Sequence, residues 1–233
     1  MRRTLSGVKL CMFHPTEMPL ERGWVGRIEG DEVVHLASQT LQHLFTGGGT
    51  ARDHARYPLA GVELLVPLPS PPSVRVFDES GAFEFANPAS VVGPAARITQ
   101  PAGSGIVVDV SLAGLVGLET VVALSPVARL RAPDLAPPKD RDFAIVLGPW
   151  FTTTEAEIVA ARVKVTGDGV AGEGTLDGFD WEGARRFAAE NTRLRVGDLL
   201  VAPAAAVVDV PGGTGVSVDV DGLGTLPFAL GAA

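Results

Sequence analysis

Glycine and proline are unusually frequent in this sequence and occur along its whole length. The 233 residues include 28 Gly and 18 Pro, about a fifth of the chain, where roughly 12% is usual. Both residues interrupt long helices and are common in the turns that join short strands. With 46% hydrophobic and 20% charged residues, the chain can form a packed core rather than stay disordered. The composition predicts a mixed, mostly β protein of the α+β class.

Charge, hydropathy and cysteine content exclude several classes of protein. The longest apolar run, residues 199–208, contains a proline, and a spanning helix needs ~20 apolar residues. A net charge of −8 with scattered arginines provides no basic stripe for nucleic acid. Cys11 is the only cysteine, which excludes disulfides and cysteine-ligated metal sites. With no signal-peptide pattern at the start, we expect a soluble cytoplasmic protein that binds neither nucleic acid nor membranes.

Local patterns predict a small amino-terminal β/α domain over residues 1–66. Its strands are expected at residues 7–13, 24–28 and 33–36, the last two forming a hairpin. Residues 37–45 fit one amphipathic helix, which the glycines at 47–49 would end. Four prolines within residues 65–72 predict a linker to a second domain over 67–233.

The second domain is predicted to be rich in strands. Residues 106–116 are apolar apart from Asp109, Ser111 and a glycine, as expected of a strand with a buried face. Residues 162–174 are typical of a hairpin that turns at Gly167-Asp168-Gly169. Asp180 can cap a short helix with an apolar face, and residues 214–220 alternate polar and apolar side chains.

Five short motifs give the sequence a resemblance to a known family. Residues 139–150, KDRDFAIVLGPW, resemble the Lys-x-x-Asp-Phe and Leu-Gly-Pro-Trp signature of the fumarylacetoacetate hydrolase family. Four other segments occur in the family's order: the leading β unit at 28–36, a Pro-x-Ser-x-x-Gly-Pro turn at 86–94, residues 194–198 (LRVGD), which resemble Leu-x-Pro-Gly-Asp, and a Val-x-Val-x-Gly-x-Gly-Thr-Leu at 218–226. The resemblance covers nearly the whole chain and implies the family's β-roll core behind a small amino-terminal β domain.

The resemblance also implies a chemistry. Members of this family hydrolyse, decarboxylate or isomerise acylpyruvates and related β-dicarbonyl acids, so it implies a small-molecule substrate of that kind. They bind Mg²⁺ or another divalent cation through a Glu-x-Glu pair and a later Asp, and a His–Glu pair activates water. A hard cation with oxygen ligands chelates the substrate's carboxylate and keto oxygens and stabilises the developing enolate.

The residues at the family's metal-binding positions are different in this chain. The Glu-x-Glu pair aligns with Asp109 and Ser111, and the later Asp aligns with Ser125. One carboxylate and two hydroxyls make a poor site, because hard cations need carboxylate charge to offset dehydration. The segment 73–87 lacks the family's histidine, and the family's Gly-Thr-Pro is replaced by Pro203-Ala204-Ala205. We therefore predict no metal and no other cofactor, with Asp109, Ser111 and Ser125 binding substrate.

One interpretation is an enzyme that carries out metal-independent chemistry on a β-dicarbonyl or acylpyruvate-like molecule. Lys139 is the first catalytic candidate, because an apolar pocket lowers the pKa of a lysine, which can then act as base, Schiff-base nucleophile or carboxylate anchor. A solvated lysine beside Pro137-Pro138 is the alternative. Arg141 is the second catalytic candidate, and Arg129 and Arg141 can hold a carboxylate or enolate oxygen. Decarboxylation, isomerisation, cyclisation or C–C cleavage would all fit.

The other interpretation is a non-catalytic protein of the same fold. It would be a subunit of, or a binding module for, an active partner. Because the family's β-roll commonly dimerises, we expect a homodimer, or a heteromer with an active paralogue. The acidic residues Asp78, Glu79 and Glu84 are interpreted as a solvated loop, and Cys11, between Leu10 and Met12, as buried rather than reactive.

Overall fold

The computed structural model describes residues 7–47, 52–153 and 160–231. The amino-terminal strands are β1 (Lys9–Pro15), β2 (Trp24–Glu29), β3 (Glu32–Leu36), β4 (Asp53–Pro58) and β5 (Val62–Leu65). The central strands are β6 (Val74–Phe77), β7 (Phe83–Ala86), β8 (Val91–Val92), β9 (Arg97–Thr99), β10 (Ile106–Val116), β11 (Val121–Arg131), β12 (Ile145–Leu147) and β13 (Phe151–Thr153). The last strands are β14 (Ala160–Gly167), β15 (Val170–Asp177), β16 (Leu199–Val201), β17 (Ala206–Val210), β18 (Gly215–Val220) and β19 (Gly224–Gly231). The helices are α1 (Leu41–Phe45) and α2 (Trp181–Ala189), with 3₁₀ turns at Leu59–Gly61 and Pro88–Ser90.

These strands form two sheets, which confirms the predicted mostly β class. The larger sheet has 14 strands in the described residues, with the main order β4-β3-β2-β1-β13-β11-β10-β16-β6-β7. Four further strands belong to this sheet: β5 pairs with β1, β12 with β11, β17 with β10, and β8 with β12. The smaller sheet has five strands in the order β15-β14-β18-β19-β9. The centre of the larger sheet is the long antiparallel pair β10–β11.

Residues 106–116 form a strand as predicted, but the pair β10–β11 is buried on both faces, whereas the sequence predicted one buried face. Val108, Val110 and Leu112 point to the core between the two sheets, while Ala113 and Leu115 belong to the second core under the amino-terminal strands. Because side chains alternate along a strand, Asp109 and Ser111 share the face of Ala113. The register places Asp109 opposite Arg129 and Ser111 opposite Val127.

The amino-terminal helix is shorter than the sequence predicts. The pattern of residues 37–45 suggested one helix, but α1 spans only Leu41–Phe45. Thr40 is the cause, because its hydroxyl accepts the backbone N–H of His43 and starts the helix there. The proposed glycine stop lies partly outside the described residues, which resume at Arg52.

Two local predictions in the second half are confirmed. The hairpin β14–β15 turns at Asp168-Gly169, where Gly169 has a φ of +73°. Helix α2 begins after Asp180, whose carboxylate accepts the backbone N–H of Gly183. Its Ala184 and Ala188 are buried, as the predicted apolar face requires.

The proline-rich segment connects β5 to β6 and is partly packed into the core. Leu68 within it is buried in the second core. Strand β1 pairs with β2 along one edge and, along its other edge, with β13 at its start and with β5 at its end. The larger sheet therefore continues from the amino-terminal strands into the rest of the chain. The division at residues 66 and 67 stays a prediction.

Two of the sequence motifs meet in the structure. Gly224, in the closing motif, has a φ of +106°, and a Cβ at this position would overlap the ring of Trp150. Trp150 ends the Gly-Pro-Trp motif. The two motifs therefore preserve a close approach between backbone and ring, which is a structural role.

Cys11 is buried in β1, and burial raises the pKa of its thiol to about 12. The thiolate, which is the reactive form, is therefore scarce at neutral pH, and the prediction of a buried cysteine is confirmed. Neither helix in the described part of the chain has the length and apolar character needed to cross a bilayer.

Candidate functional site

Asp109 is held by two arginines from the neighbouring strand. Arg131 donates from Nε to Oδ2 at 2.6 Å and from Nη2 to Oδ1 at 2.8 Å, a bidentate contact. Arg129 donates from Nη2 to Oδ2 at 3.2 Å. The side chain of Asp109 is only 6% exposed. Its negative charge is therefore balanced by the two guanidinium groups rather than by water.

Arg141 forms the second half of the same cluster. Its Nε and Nη2 lie 2.9 Å and 2.8 Å from Oδ2 of Asp140. Its Nη1 lies 2.7 Å and 3.0 Å from the two carboxylate oxygens of Glu84. Glu84 joins the two halves, because Nη1 of Arg129 lies 3.5 Å from its Oε1.

We call this cluster the arginine network; its members are Arg129, Arg131, Arg141, Asp109, Asp140 and Glu84. Three guanidiniums and three carboxylates make it electrically neutral. It joins the ends of β10 and β11 to the edge strand β7 and to the loop before β12. In this loop the backbone N–H of Ala132 donates to the carbonyl of Asp140 at 2.7 Å, which fixes Asp140 next to the end of β11.

Burial and pairing act in opposite directions on the three arginines. Burial lowers the pKa of the Arg129 guanidinium, and the charges of Asp109 and Glu84 oppose this effect. Hydrogen bonds to Asp109 raise the pKa of Arg131, and hydrogen bonds to Asp140 and Glu84 raise the pKa of Arg141. Because an arginine starts above pKa 12, all three remain cationic near neutral pH.

Ser111 and Ser125 are buried, and both hydroxyls are occupied by backbone carbonyls. Ser111 Oγ donates to the carbonyl of Ala202 at 2.6 Å and lies 2.9 Å from that of Pro203. Ser125 is fully buried, and its Oγ donates to the carbonyl of Pro126 at 3.3 Å. The structure thus places the two serines on the face of Asp109 but outside the arginine network.

The donor set at the positions that the resemblance assigns to a metal, Asp109, Ser111 and Ser125, does not fit Mg²⁺. Its single carboxylate, Asp109, already accepts three hydrogen bonds from two cations, and a metal ion would have to displace them. The serine hydroxyls carry no charge to offset dehydration of the ion. Within the described ranges, no group of three or more His, Cys, Asp or Glu side chains could hold a metal. The absence of a metal in the working protein stays a prediction.

Lys139 does not lie in an apolar pocket, so this sequence expectation is wrong. Its side chain is 76% exposed, and Nζ lies 2.9 Å from Oδ2 of Asp142. The neighbouring Pro137 and Pro138 lead the chain across the surface, as in the alternative interpretation. The desolvation that would have favoured a base or nucleophile is therefore missing, and a catalytic role for Lys139 stays untested.

Glu84 is not in a solvated loop, which corrects a second expectation. It lies in β7 opposite Val76, and its carboxylate pairs with Arg129 and Arg141. Asp78 has a local role, because its carboxylate accepts the backbone N–H groups of Ser80 and Ala82 in the turn before β7.

A cleft of about 480 Å³ adjoins the arginine network. Glu84 and Arg141 belong to its wall, together with Phe85, Ala86, Asn87, Pro137, Pro138 and Asp142. This volume lies within the range of small-molecule sites. A second cleft of similar volume, between the β6–β7 turn and α2, contains none of the predicted site residues. The cleft beside the arginine network is the one of the two that includes a predicted site residue, Arg141, and is therefore taken as the candidate site.

Comparison with known proteins gives matches in structure only. No family model and no curated protein sequence matches the chain. A maleylpyruvate hydrolase from Sphingobium sp. SYK-6, solved with manganese(II) and pyruvate, matches with TM-score 0.77 and 19% identity, over 96% of this chain and 99% of that chain. A fumarylacetoacetate hydrolase from Exiguobacterium antarcticum matches with TM-score 0.81, and a 5-carboxymethyl-2-hydroxymuconate delta-isomerase from Mycobacterium smegmatis with TM-score 0.80. Each of these two is 18% identical and covers 97% of this chain and 100% of its own.

The chain has the same fold as these neighbours, which include a fumarylacetoacetate hydrolase. These structural neighbours are enzymes by name, and each is matched over nearly its whole length. The fold predicted from the five motifs is confirmed. At this level of identity the likeness shows the architecture, while the chemistry depends on the residues of this chain.

Proposed function

We propose that this protein is an enzyme of the fumarylacetoacetate hydrolase fold that acts without a metal on a small β-dicarbonyl or acylpyruvate-like acid. The observation that carries the proposal is the convergence of Arg129 and Arg141 on one carboxylate, Glu84, at the edge of the cleft. Two guanidiniums that converge in this way form a binding site for a carboxylate or an enolate oxygen. The neighbour solved with pyruvate and the neighbouring isomerase support a substrate of this class.

The proposed chemistry uses the arginines as fixed positive charge. When a β-dicarbonyl acid loses a proton to solvent water, or loses carbon dioxide, from the carbon between its carbonyl groups, the electron pair of the broken C–H or C–C bond moves to a carbonyl oxygen and forms an enolate. Arg129 and Arg141 donate hydrogen bonds to that oxygen from positions set before the reaction, which lowers the barrier. Decarboxylation, isomerisation, cyclisation and C–C cleavage of such acids all pass through this enolate.

Asp109 and Arg131 have a positioning role in this proposal. The bidentate contact fixes Arg131 on Asp109, and the same carboxylate orients Arg129. Arg129 therefore needs little rearrangement to meet a ligand, and preorganisation of this kind is the main source of electrostatic catalysis.

The second candidate function is a non-catalytic subunit or binding module that associates with an active partner or with a second copy of the chain. The observation that favours it is that every guanidinium of the arginine network is already paired with a carboxylate. The hydroxyls of Ser111 and Ser125 are likewise occupied. Such a site has no free hydrogen-bonding group for a substrate, as expected of a protein that has lost its catalytic activity.

Proton NMR in D₂O distinguishes the two functions. The purified protein is incubated with a panel of acylpyruvates and β-keto acids, with excess EDTA in one arm and Mg²⁺ in the other. We expect deuterium incorporation or product formation at equal rates in both arms. Turnover only with Mg²⁺ would refute metal-independent chemistry, and no turnover of any member of the panel would favour the non-catalytic function.

A further inference from the structure

The three carboxylates of the arginine network differ sharply in exposure. Asp109 and Asp140 are the buried ones, with side chains 6% and 11% exposed. Glu84 is 46% exposed and belongs to the wall of the cleft. Exposed ion pairs contribute little to stability, whereas removal of a partner from a buried pair is costly. Glu84 is therefore the one carboxylate of the network that can leave at low cost.

The position of Glu84 in the sheet also favours its displacement. Strand β7 is the last in the order of the larger sheet, and in the described part of the chain it pairs only with β6. It has four residues and follows a turn at residues 78–82. A short edge strand after a turn can shift without breaking the core around Asp109.

Displacement of Glu84 would leave an unbalanced positive site. The network would then consist of three arginines and two carboxylates, Asp109 and Asp140. Nη1 of Arg129 and Nη1 of Arg141, which now face Glu84, would both be free for another acceptor. Two donors from separate guanidiniums match the two oxygens of one carboxylate.

We infer that Glu84 is an internal competitor that occupies the substrate's carboxylate site and leaves when the substrate binds. The inference rests on the proposed function, because it takes the incoming carboxylate to be that of the substrate. It adds a regulatory element to the site: the ligand must carry a carboxylate to displace Glu84, and neutral analogues are rejected. When no ligand is present, the carboxylate of Glu84 occupies the site.

Isothermal titration calorimetry with pyruvate, in buffer containing EDTA, tests this inference. In Glu84→Gln the side chain keeps its size and loses its charge, so pyruvate no longer competes with an internal anion. We expect Glu84→Gln to bind pyruvate about tenfold more tightly than the wild type. Methyl pyruvate, which lacks the charge, should bind both proteins with equal weakness.

Two further variants control the measurement. Glu79→Gln removes an exposed carboxylate from the turn of the same hairpin and should leave the affinity for pyruvate unchanged. Glu84→Asp keeps the charge on a shorter side chain and should give an affinity between those of the wild type and Glu84→Gln. This variant also keeps the test decisive if Glu84→Gln does not fold.

Several outcomes would overturn the inference. These are equal pyruvate affinity in wild type and Glu84→Gln, no binding to either protein, or equal tightening for methyl pyruvate. Failure of the inferred displacement of Glu84 is distinguishable from failure of the proposed function. Metal-free turnover with an unchanged affinity in Glu84→Gln would refute only the displacement, whereas tighter binding without any turnover would refute only catalysis.

Discussion

Replacement of Asp109 by Asn is expected to lower the free energy of unfolding by about 3 kcal/mol, because loss of one partner from a buried ion pair leaves the other charges uncompensated. The amide of Asn keeps one oxygen acceptor, so Arg131 would lose its bidentate contact, and both Arg131 and Arg129 would lose the negative charge opposite them. Urea denaturation followed by circular dichroism measures the change. For a chain of this size the loss corresponds to a fall in melting temperature of roughly 10 °C.

Asp209→Asn is the matched control for this prediction. Asp209 is an exposed carboxylate on β17, a strand that pairs with β10, and it lies opposite Val107. Its replacement should change the stability by no more than about 0.5 kcal/mol. Equal effects of the two substitutions would mean that Asp109 contributes no more to the free energy of unfolding than an exposed carboxylate does. The arginine network would then not be a structural unit.

Replacement of Arg129 by Met is expected to reduce the metal-free turnover about 100-fold, because it removes one of the two positive charges proposed to stabilise the enolate. Met keeps the length of the side chain within the buried face. Asp109 retains its bidentate contact to Arg131, and Glu84 retains Arg141, so the folded state should persist. The measurement is the initial rate with the best substrate from the NMR panel, in the presence of EDTA.

Lys139→Ala is the control variant for the turnover of Arg129→Met. The lysine is exposed and bonded only to Asp142 among the described contacts, and an exposed pair of this kind contributes little. We expect its turnover to stay within roughly twofold of the wild type, since a weak surface pair is all that is lost. A large loss in Lys139→Ala with an unchanged rate in Arg129→Met would return the catalytic role to the lysine.

Much of the fold follows from local patterns in the sequence. The apolar character of residues 106–116 predicted β10, and Gly167-Asp168-Gly169 predicted the turn of the β14–β15 hairpin. Helix α1 was overestimated because Thr40, which starts it, lies inside the stretch with helical periodicity. Such errors are expected at element boundaries, where one hydrogen bond from a side chain decides the first residue.

The site was harder to predict, because its contacts join distant parts of the chain. Asp109, Arg129 and Arg141 were named from the sequence, but their mutual arrangement depends on the register of β10 and β11 and on the path of the loop before β12. The spacing of Arg129 and Arg131, two residues apart, places both on one face of β11, a signal that the sequence analysis did not use. No local signal connects Glu84 to Arg141, which are 57 residues apart.

The motifs that carried the resemblance mark the scaffold more than the chemistry. Gly224 and Trp150 come from two of them, and their close packing gives both a structural role. At Asp109, which the resemblance assigns to the metal site, the carboxylate is paired with Arg129 and Arg131. A shared fold therefore does not by itself establish a shared reaction.

Mn²⁺ binding tests most directly whether arginine charge has replaced a metal at Asp109. The protein is first treated with EDTA and dialysed, and free Mn²⁺ is then followed by electron paramagnetic resonance during a titration. We predict no site with a dissociation constant below about 1 mM, and the same result for Ser111→Ala. Micromolar binding that is lost in Asp109→Asn or Ser111→Ala would contradict this account and restore a metal-dependent site.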